Sequence, residues 1–271
     1  MSAQSDLKRV TISSLKKMKS DGGKIASLTA YDASFSAVLD AAGVDVILVG
    51  DSLGMVIQGH ETTIPVTVDD MIYHSKAVAS RCQRALLIVD MPFMSYTSLG
   101  QAMDTAAALM REGGAHMVKL EGDARQVDTV SKLSEHGVPV CAHIGLQPQL
   151  VHKLGGYRVQ GRDAKAATAM LEDAHELEQA GADLMVLECV PDILAAEITA
   201  NLNIPVIGIG ASAKCDGQIL VLHDILGITP GRVPRFAHNF LQGRESIPAA
   251  VEAYVASVKN GQFPKQEHLF S

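Results

Sequence analysis

Six side chains able to bind a cation, move a proton or carry charge stand at or just past the ends of short apolar runs. They are Asp51 after VILVG, Asp90 after LLIV, Lys119 and Glu121 in MVKLEG, His143 in VPVCAHIG and Glu188 in DLMVLEC. Asp51 and Asp90 are hard oxygen donors, and two such donors with room for water and a substrate's oxygens suit Mg²⁺ better than zinc, which recruits more His and Cys. Mn²⁺ stays open on the same donors. The competing reading is that Asp51 caps the turn in GDSLG and Asp90 precedes a helix. Convergence at strand ends favours the metal.

Lys119 and Glu121 are two residues apart, so on a strand they face the same side. They form an internal salt bridge, or Lys119 neutralises a substrate carboxylate while Glu121 holds metal-bound water. A Schiff-base lysine is a further option, against which the adjacent carboxylate favours the ammonium form. Glu188 continues the alternation of Leu184 and Val186, which places a carboxylate at the top of an apolar interior. Partial desolvation there would make it a competent base, and a helix cap or salt bridge is the bland alternative. His143 either bonds a bound carboxylate or enolate, or satisfies backbone groups at the HIG turn. The run GIGAS at 208–212 resembles glycine-bearing loops whose amides cradle anions. There is no GxGxxG, Walker lysine, GxSxG or HExxH motif, which removes the common nucleotide and hydrolase signatures.

Positioning these groups at one place requires particular elements. Apolar runs recur at Ile25–Thr29, Val44–Val49, Ala85–Val89, Ala115–Leu120, Val138–Ala142, Leu184–Leu187, Val206–Ile209 and Ile219–Leu222, giving eight expected strands. Helix-like stretches at Thr67–Ser80, Leu99–Glu112, Asp123–Glu135 and Asp163–Gln179 separate them, the alternation of a parallel sheet covered by helices. In AAGVDVILV, REGGAHMVKL, EHGVPVCA and EQAGADLMVL a glycine closes each helix just before the next strand. Eight units at this spacing predict a closed (βα)8 TIM barrel, with its chemistry at the C-terminal mouth. Residues 7–19 read as an amphipathic helix covering the barrel bottom, and Ile247–Val258 as a terminal helix, so one domain spans 1–271.

Composition agrees with that reading. The chain has 271 residues, 47% hydrophobic and 20% charged, enough to fill a core. Its net charge of -7 and scattered basic residues exclude a nucleic-acid footprint. Cys82, Cys141, Cys189 and Cys215 lie too far apart for a CxxC pair and read as reduced thiols. No segment approaches the roughly 20 apolar residues of a membrane span, and the expected location is cytoplasmic.

From about residue 25 to 240 the chain resembles the ketopantoate hydroxymethyltransferase family of pantothenate biosynthesis. The segments that carry this are LTAYDASFSAVLDAAGVDVILVGDSLGMVIQGHETTIPVTVDDMIYH, LLIVDMPFMSY, GAHMVKLEG, VPVCAHIGLQPQ, GADLMVLECVP and DGQILVLHDILG. The resemblance implies metal binding by Asp51 and Asp90 with Glu121 near the metal. It also implies substrate contacts by Asp51, Ser52, Asp90, Lys119 and His143, and a catalytic base at Glu188. The implied reaction moves a one-carbon unit from 5,10-methylenetetrahydrofolate to 3-methyl-2-oxobutanoate through a metal-stabilised enolate, in a homo-oligomer such as a decamer. Family members usually read GIGAG where this chain ends in Ser212, and Val and Lys where it has Ala237 and His238. The competing functions are a metal-dependent 2-oxo-acid lyase or phosphonomutase-like barrel, which needs no folate, and a carboxylate-binding barrel, which needs no base.

Overall fold

Helices in this chain stop by a shared device that sets where the strands begin. After the helix Ala33–Ala41, Gly43 turns left-handed (φ +85°) and the Val44 amide donates back to the Leu39 carbonyl. The same five-residue return joins Val138 to Leu133 across Gly137, and Ala182 to Leu177 across Gly181. A residue lacking a Cβ occupies this conformation without steric cost, and the returning amide satisfies a carbonyl that the helix leaves free. The first two residues of the expected runs at Val44 and Val138 are spent on this stop, so those strands begin at Val46 and Val140.

The computed structural model describes residues 8–229, 231 and 233–271. Its strands are β1 Ile25–Thr29, β2 Val46–Val49, β3 Leu86–Asp90, β4 Met117–Glu121, β5 Val140–Gly145, β6 Leu184–Glu188, β7 Val206–Ile209 and β8 Gly217–Leu220. Every neighbouring pair is parallel and β8 returns to β1, closing an eight-stranded barrel. The expected β8 at Ile219–Leu222 is shifted: Leu222 opens a short helix, Leu222–Leu226, and its amide donates to Thr29 Oγ1. The apolar run ILVL crosses this boundary, so apolarity alone does not mark it. The pairing does, because Gly217 fits where a Cβ would lie 2.4 Å from the Ile25 carbonyl oxygen.

Helices Val68–Ala79, Leu99–Arg111, Val127–Glu135 and Ala164–Gln179 cover the outside, and Thr67, Ser98 and Asp163 cap three of them through side-chain oxygens. The N-terminal helix is Ile12–Ser20, started by a capping box between Thr11 and Ser14; residue 7 lies outside the described residues. This helix packs Leu15 beneath the barrel, and Lys19 reaches Asp216 at 2.7 Å, just before β8. Tyr254, on the helix Ile247–Lys259, is buried and donates to the backbone of β1 or β8. Among the described residues no helix is long and apolar enough to cross a membrane.

The four cysteines are free and buried. Burial pushes the Cys82 and Cys141 thiols up to about 12, and raises those of Cys189 and Cys215 as well. The reactive species is the thiolate, which burial suppresses and shields. At pH 8 the folded protein is therefore expected to react with Ellman's reagent on the order of ten-fold or more slowly than the guanidinium-unfolded chain. A stoichiometric fast phase in the native protein would overturn this.

Candidate functional site

The barrel interior is packed, and Ile88, Lys119, Cys141, Leu184 and Val186 all point into it. Side chains alternate along a strand, so the next inward positions are Asp90, Glu121, His143 and Glu188. The register staggers them, with Asp90 opposite Lys119, Glu121 opposite His143, and Glu188 opposite Gly145, one inward step past His143. The parity expected for Lys119 with Glu121, and for Glu188 with Leu184 and Val186, is present.

Asp51 and Ser52 enter from the end of β2. The Asp51 amide donates to Asp90 Oδ2 at 3.0 Å, tying two neighbouring strand ends together. Ser52 precedes the short helix Leu53–Val56, and its hydroxyl lies 2.8 Å from the buried Tyr31 hydroxyl. Gly50 keeps this corner open: a Cβ there would come within 2.9 Å of Ser52 Oγ and 3.4 Å of Asp90 Oδ2.

Lys119 is the centre of the charge arrangement. Only 4% exposed, its Nζ lies 2.9 Å from Asp90 Oδ1, 4.0 Å from Glu121 Oε1 and 3.1 Å from His143 Nδ1. Burial opposes its charge, but Asp90, Glu121 and Asp51 outweigh that and hold the ammonium above its ordinary range. An ammonium so held is not a Schiff-base nucleophile. Burial raises the Asp51 carboxyl, and the charges of Asp90 and Glu121 add to it. Burial also raises Asp90, against Lys119 and the Asp51 amide. Glu121 is pulled the other way, because His143 and Lys119 outweigh its burial.

His143 is pressed between opposed influences. Its Nε2 lies 3.3 Å from Glu188 Oε2 and its Nδ1 3.5 Å from Glu121 Oε1. Burial and Lys119 disfavour a charged ring, and Glu121 and Glu188 favour one. A second proton on Nδ1 would nonetheless point at the Lys119 ammonium. With Lys119 in its present place, the contact distances favour a neutral ring whose proton sits on Nε2, facing Glu188.

Four carboxylates therefore share one ammonium and one imidazole, a surplus of negative charge that suits a cation. Among the described residues no three His, Cys, Asp or Glu side chains converge to enclose a metal unaided. A hard divalent ion such as Mg²⁺ does not ask for that, since it keeps waters and takes one or two carboxylates plus substrate oxygens. Asp90 Oδ1 also lacks a well-directed hydrogen bond despite the nearby ammonium. The donors present fit an oxygen-coordinated cation at Asp51 and Asp90, with Glu121 beside it.

Two groups in the constellation go beyond the six found by residue type. Gln149 is buried between Asp51, Glu121 and Tyr96, and Tyr96 comes from the loop after β3. Both line a cavity of about 210 Å³ that opens between the loops after β3, β4 and β5. Their signal in the sequence is only position, a polar residue soon after a strand end in HIGLQPQ and in DMPFMSY. In the GIGAS loop Ser212 Oγ donates to Asp192 Oδ1 at 2.6 Å and Gln218 Nε2 donates to the Ser212 carbonyl. His238 packs edge-on against Phe240, away from any of the charged groups above.

Residues 9–266 match the family model described as Ketopantoate hydroxymethyltransferase. A 3-methyl-2-oxobutanoate hydroxymethyltransferase from Alkalilimnicola ehrlichii is 60% identical over 96% of this chain and 94% of its own. One of the same name from Shewanella sp. MR-4 is 56% identical over 98% and 100%. Among solved structures, a putative phosphonomutase from Burkholderia cenocepacia superposes with a TM-score of 0.61 at 17% identity, over 80% of this chain and 94% of its own. Oxaloacetate acetylhydrolase gives 0.59 at 14%, over 93% and 98%. At such identities the structural likeness speaks for the fold alone. The sequence matches span nearly the whole chain, and they establish that this protein belongs to the ketopantoate hydroxymethyltransferase family.

Proposed function

We propose that this chain transfers a hydroxymethyl unit from 5,10-methylenetetrahydrofolate to 3-methyl-2-oxobutanoate, forming 2-dehydropantoate and tetrahydrofolate, with water supplying the hydroxyl oxygen. The observation that carries this reading is the continuous contact of Asp90, Lys119, Glu121, His143 and Glu188, with Asp51 joined to Asp90, at one barrel mouth. The names of the relatives support 3-methyl-2-oxobutanoate as the acceptor, and the folate donor rests on the family resemblance of the sequence. In this reading Asp51 and Asp90 hold Mg²⁺, or Mn²⁺, with Glu121 beside it. Such an ion, when bound, polarises the 2-oxo group and offsets charge as an enolate forms.

The chain's own groups supply the rest. Lys119 sets a fixed positive charge against the 2-oxo acid, and Ser52 and His143 orient its oxygens. Glu188 takes the proton from C3. Its carboxylate tops the apolar wall of Leu184 and Val186 and is steadied by the His143 ring at 3.3 Å. The carbon so exposed then attacks the methylene donor. The same reading assigns the protein to the cytoplasm and to a homodecamer.

Incubation with 3-methyl-2-oxobutanoate, 5,10-methylenetetrahydrofolate and Mg²⁺ is expected to give 2-dehydropantoate, and omission of any one component to abolish it. Carbon–carbon bond making or breaking in the 2-oxo acid without folate would mark a lyase instead and sink the proposal. Binding without turnover would leave only a carboxylate-binding barrel.

Changing Asp51 or Asp90 to Asn is expected to weaken Mg²⁺ and 2-oxo-acid binding together, because a neutral amide does not replace an ionised ligand. Titration calorimetry reads both affinities, and unchanged values in both variants would refute the metal assignment.

Glu188→Gln keeps most of the side-chain volume, so metal and 2-oxo-acid binding should persist. Proton removal at C3 should slow by about 10²–10⁴-fold, the scale of a positioned general base. Exchange at C3 in deuterated buffer, followed by NMR with Mg²⁺ and, where wild type needs it, a folate analogue, isolates this step. A variant that binds normally and exchanges as fast as wild type would exclude Glu188 as the base.

A further inference from the structure

Gln149 touches more of the acidic cluster than any residue type would announce. It sits in the single 3₁₀ turn Pro148–Leu150 after β5, where an opening backbone amide has no partner inside the turn. That amide donates to Glu121 Oε2 at 3.0 Å. The side-chain Nε2 donates to Asp51 Oδ2 at 2.9 Å and to the Met91 carbonyl at 3.0 Å. Oε1 accepts from the Tyr96 hydroxyl at 2.5 Å.

This pattern fixes which way the amide points. The Met91 carbonyl can only accept, so the NH₂ group must face it, and its second proton then meets Asp51. Oε1 is left for Tyr96, whose hydroxyl must donate. The Tyr96 oxygen in turn lies 3.4 Å from the Glu121 amide, so Tyr96 touches both the strand end of Glu121 and the amide that holds Asp51. Every donor and acceptor of the Gln149 side chain is used, in a buried place where a loose amide is costly.

We infer that Gln149, oriented by Tyr96, is the positioning residue that holds Asp51 and Glu121 as a matched pair of carboxylates, and so sets the affinity of the site for a divalent cation. The inference rests on the reading of Asp51 and Glu121 as members of a cation-holding cluster. The choice of residue type follows from charge. A lysine or arginine in this place would orient the carboxylates equally well but would cancel the negative charge that attracts the cation. An amide positions them and leaves the charge in place. Gln149 occupies one oxygen of each carboxylate, which restrains rotation while leaving the second oxygen of each outside its grip. The Pro148 turn and Tyr96 both come from loops, so two strands of the barrel are aligned at their tips by a residue belonging to neither.

The test uses the full-length protein and Mn²⁺ alone as the probe, with free Mn²⁺ read by electron paramagnetic resonance. Circular dichroism and a thermal melt on each variant check folding. Gln149→Met removes the amide while keeping the chain's length and its backbone bond to Glu121. It should weaken Mn²⁺ binding by about 10–100-fold, the usual scale for losing a group that orients a ligand. Tyr96→Phe deletes one hydroxyl and should weaken it in the same direction by less. The two together should lose little more than Gln149→Met alone, because both act through one amide. A merely structural role would lower the melting temperature and leave the affinity of the folded protein unchanged. Wild-type affinity in a folded Gln149→Met protein, while Asp51→Asn abolishes binding, overturns the role of Gln149 and leaves the cation site standing. No Mn²⁺ binding by wild type itself overturns both. Should Gln149→Met fail to fold, wild-type affinity in Tyr96→Phe overturns the inference, and a loss supports it.

Discussion

A lysine ammonium buried inside a barrel is the constraint around which this mouth is organised. Taking a charge out of water costs several kcal/mol even after relaxation, unless partners in good geometry replace the lost solvent. Lys119 is 4% exposed and has Asp90 at 2.9 Å on the strand before it, with Glu121 and His143 above it. Those partners come from three adjacent strands, so the ammonium is satisfied only when β3, β4 and β5 hold their register. The fold and the site are in this sense one problem: slipping β3 or β5 by one residue would turn Asp90 or His143 away from the lysine, and slipping β4 would turn Lys119 and Glu121 outward together.

The two ends of the barrel solve the charge problem differently. At the N-terminal end the buried Asp45 meets Lys259 and Arg84, and the half-buried Asp216 meets Lys19, so each of these two carboxylates has at least one cation of its own. These acids also take backbone amides, Ala26 for Asp45 and Val206 for Asp216, as structural groups do. At the mouth Asp51, Asp90, Glu121 and Glu188 share Lys119 and His143. A scaffold that meets these two acids with three cations at the bottom, yet leaves four carboxylates to share one ammonium and one imidazole at the top, has an excess of negative charge there that suits a positive ligand.

Much of this was legible in the residues because it follows from periodicity. Alternation placed Lys119 with Glu121 and Glu188 with Val186, and the glycines before four strands marked where helices had to end. The boundary of β8 was not legible, since ILVL is equally apolar on both sides of it and the pairing of Gly217 against β1 decides. Gln149 and Tyr96 escaped for a different reason: their roles depend on where two loops cross in space, and a glutamine two residues past a strand carries no chemical signature. The role of the Ser212 hydroxyl was not legible either, because its partner Asp192 lies twenty residues away in the chain.

The backbone adds a second indication that the mouth is held under tension. Among the described residues that are not glycine, only Met94 and Cys189 have positive φ, at 62° and 49°. Met94 lies in the loop after β3, between Asp90 and Tyr96, and Cys189 directly follows Glu188. An L-residue in this region costs on the order of 1–3 kcal/mol and persists where the surroundings over-determine it. For Cys189 those surroundings are visible: its amide donates to the Ile209 carbonyl, and its carbonyl accepts from the Gln160 amide. The chain thus leaves the regular strand conformation immediately past Glu188, whose carboxylate lies 3.3 Å from the His143 ring. The strain sits one residue from the proposed base and two from Tyr96, where the side chains must be aimed most closely, while the regular strands below are free of it.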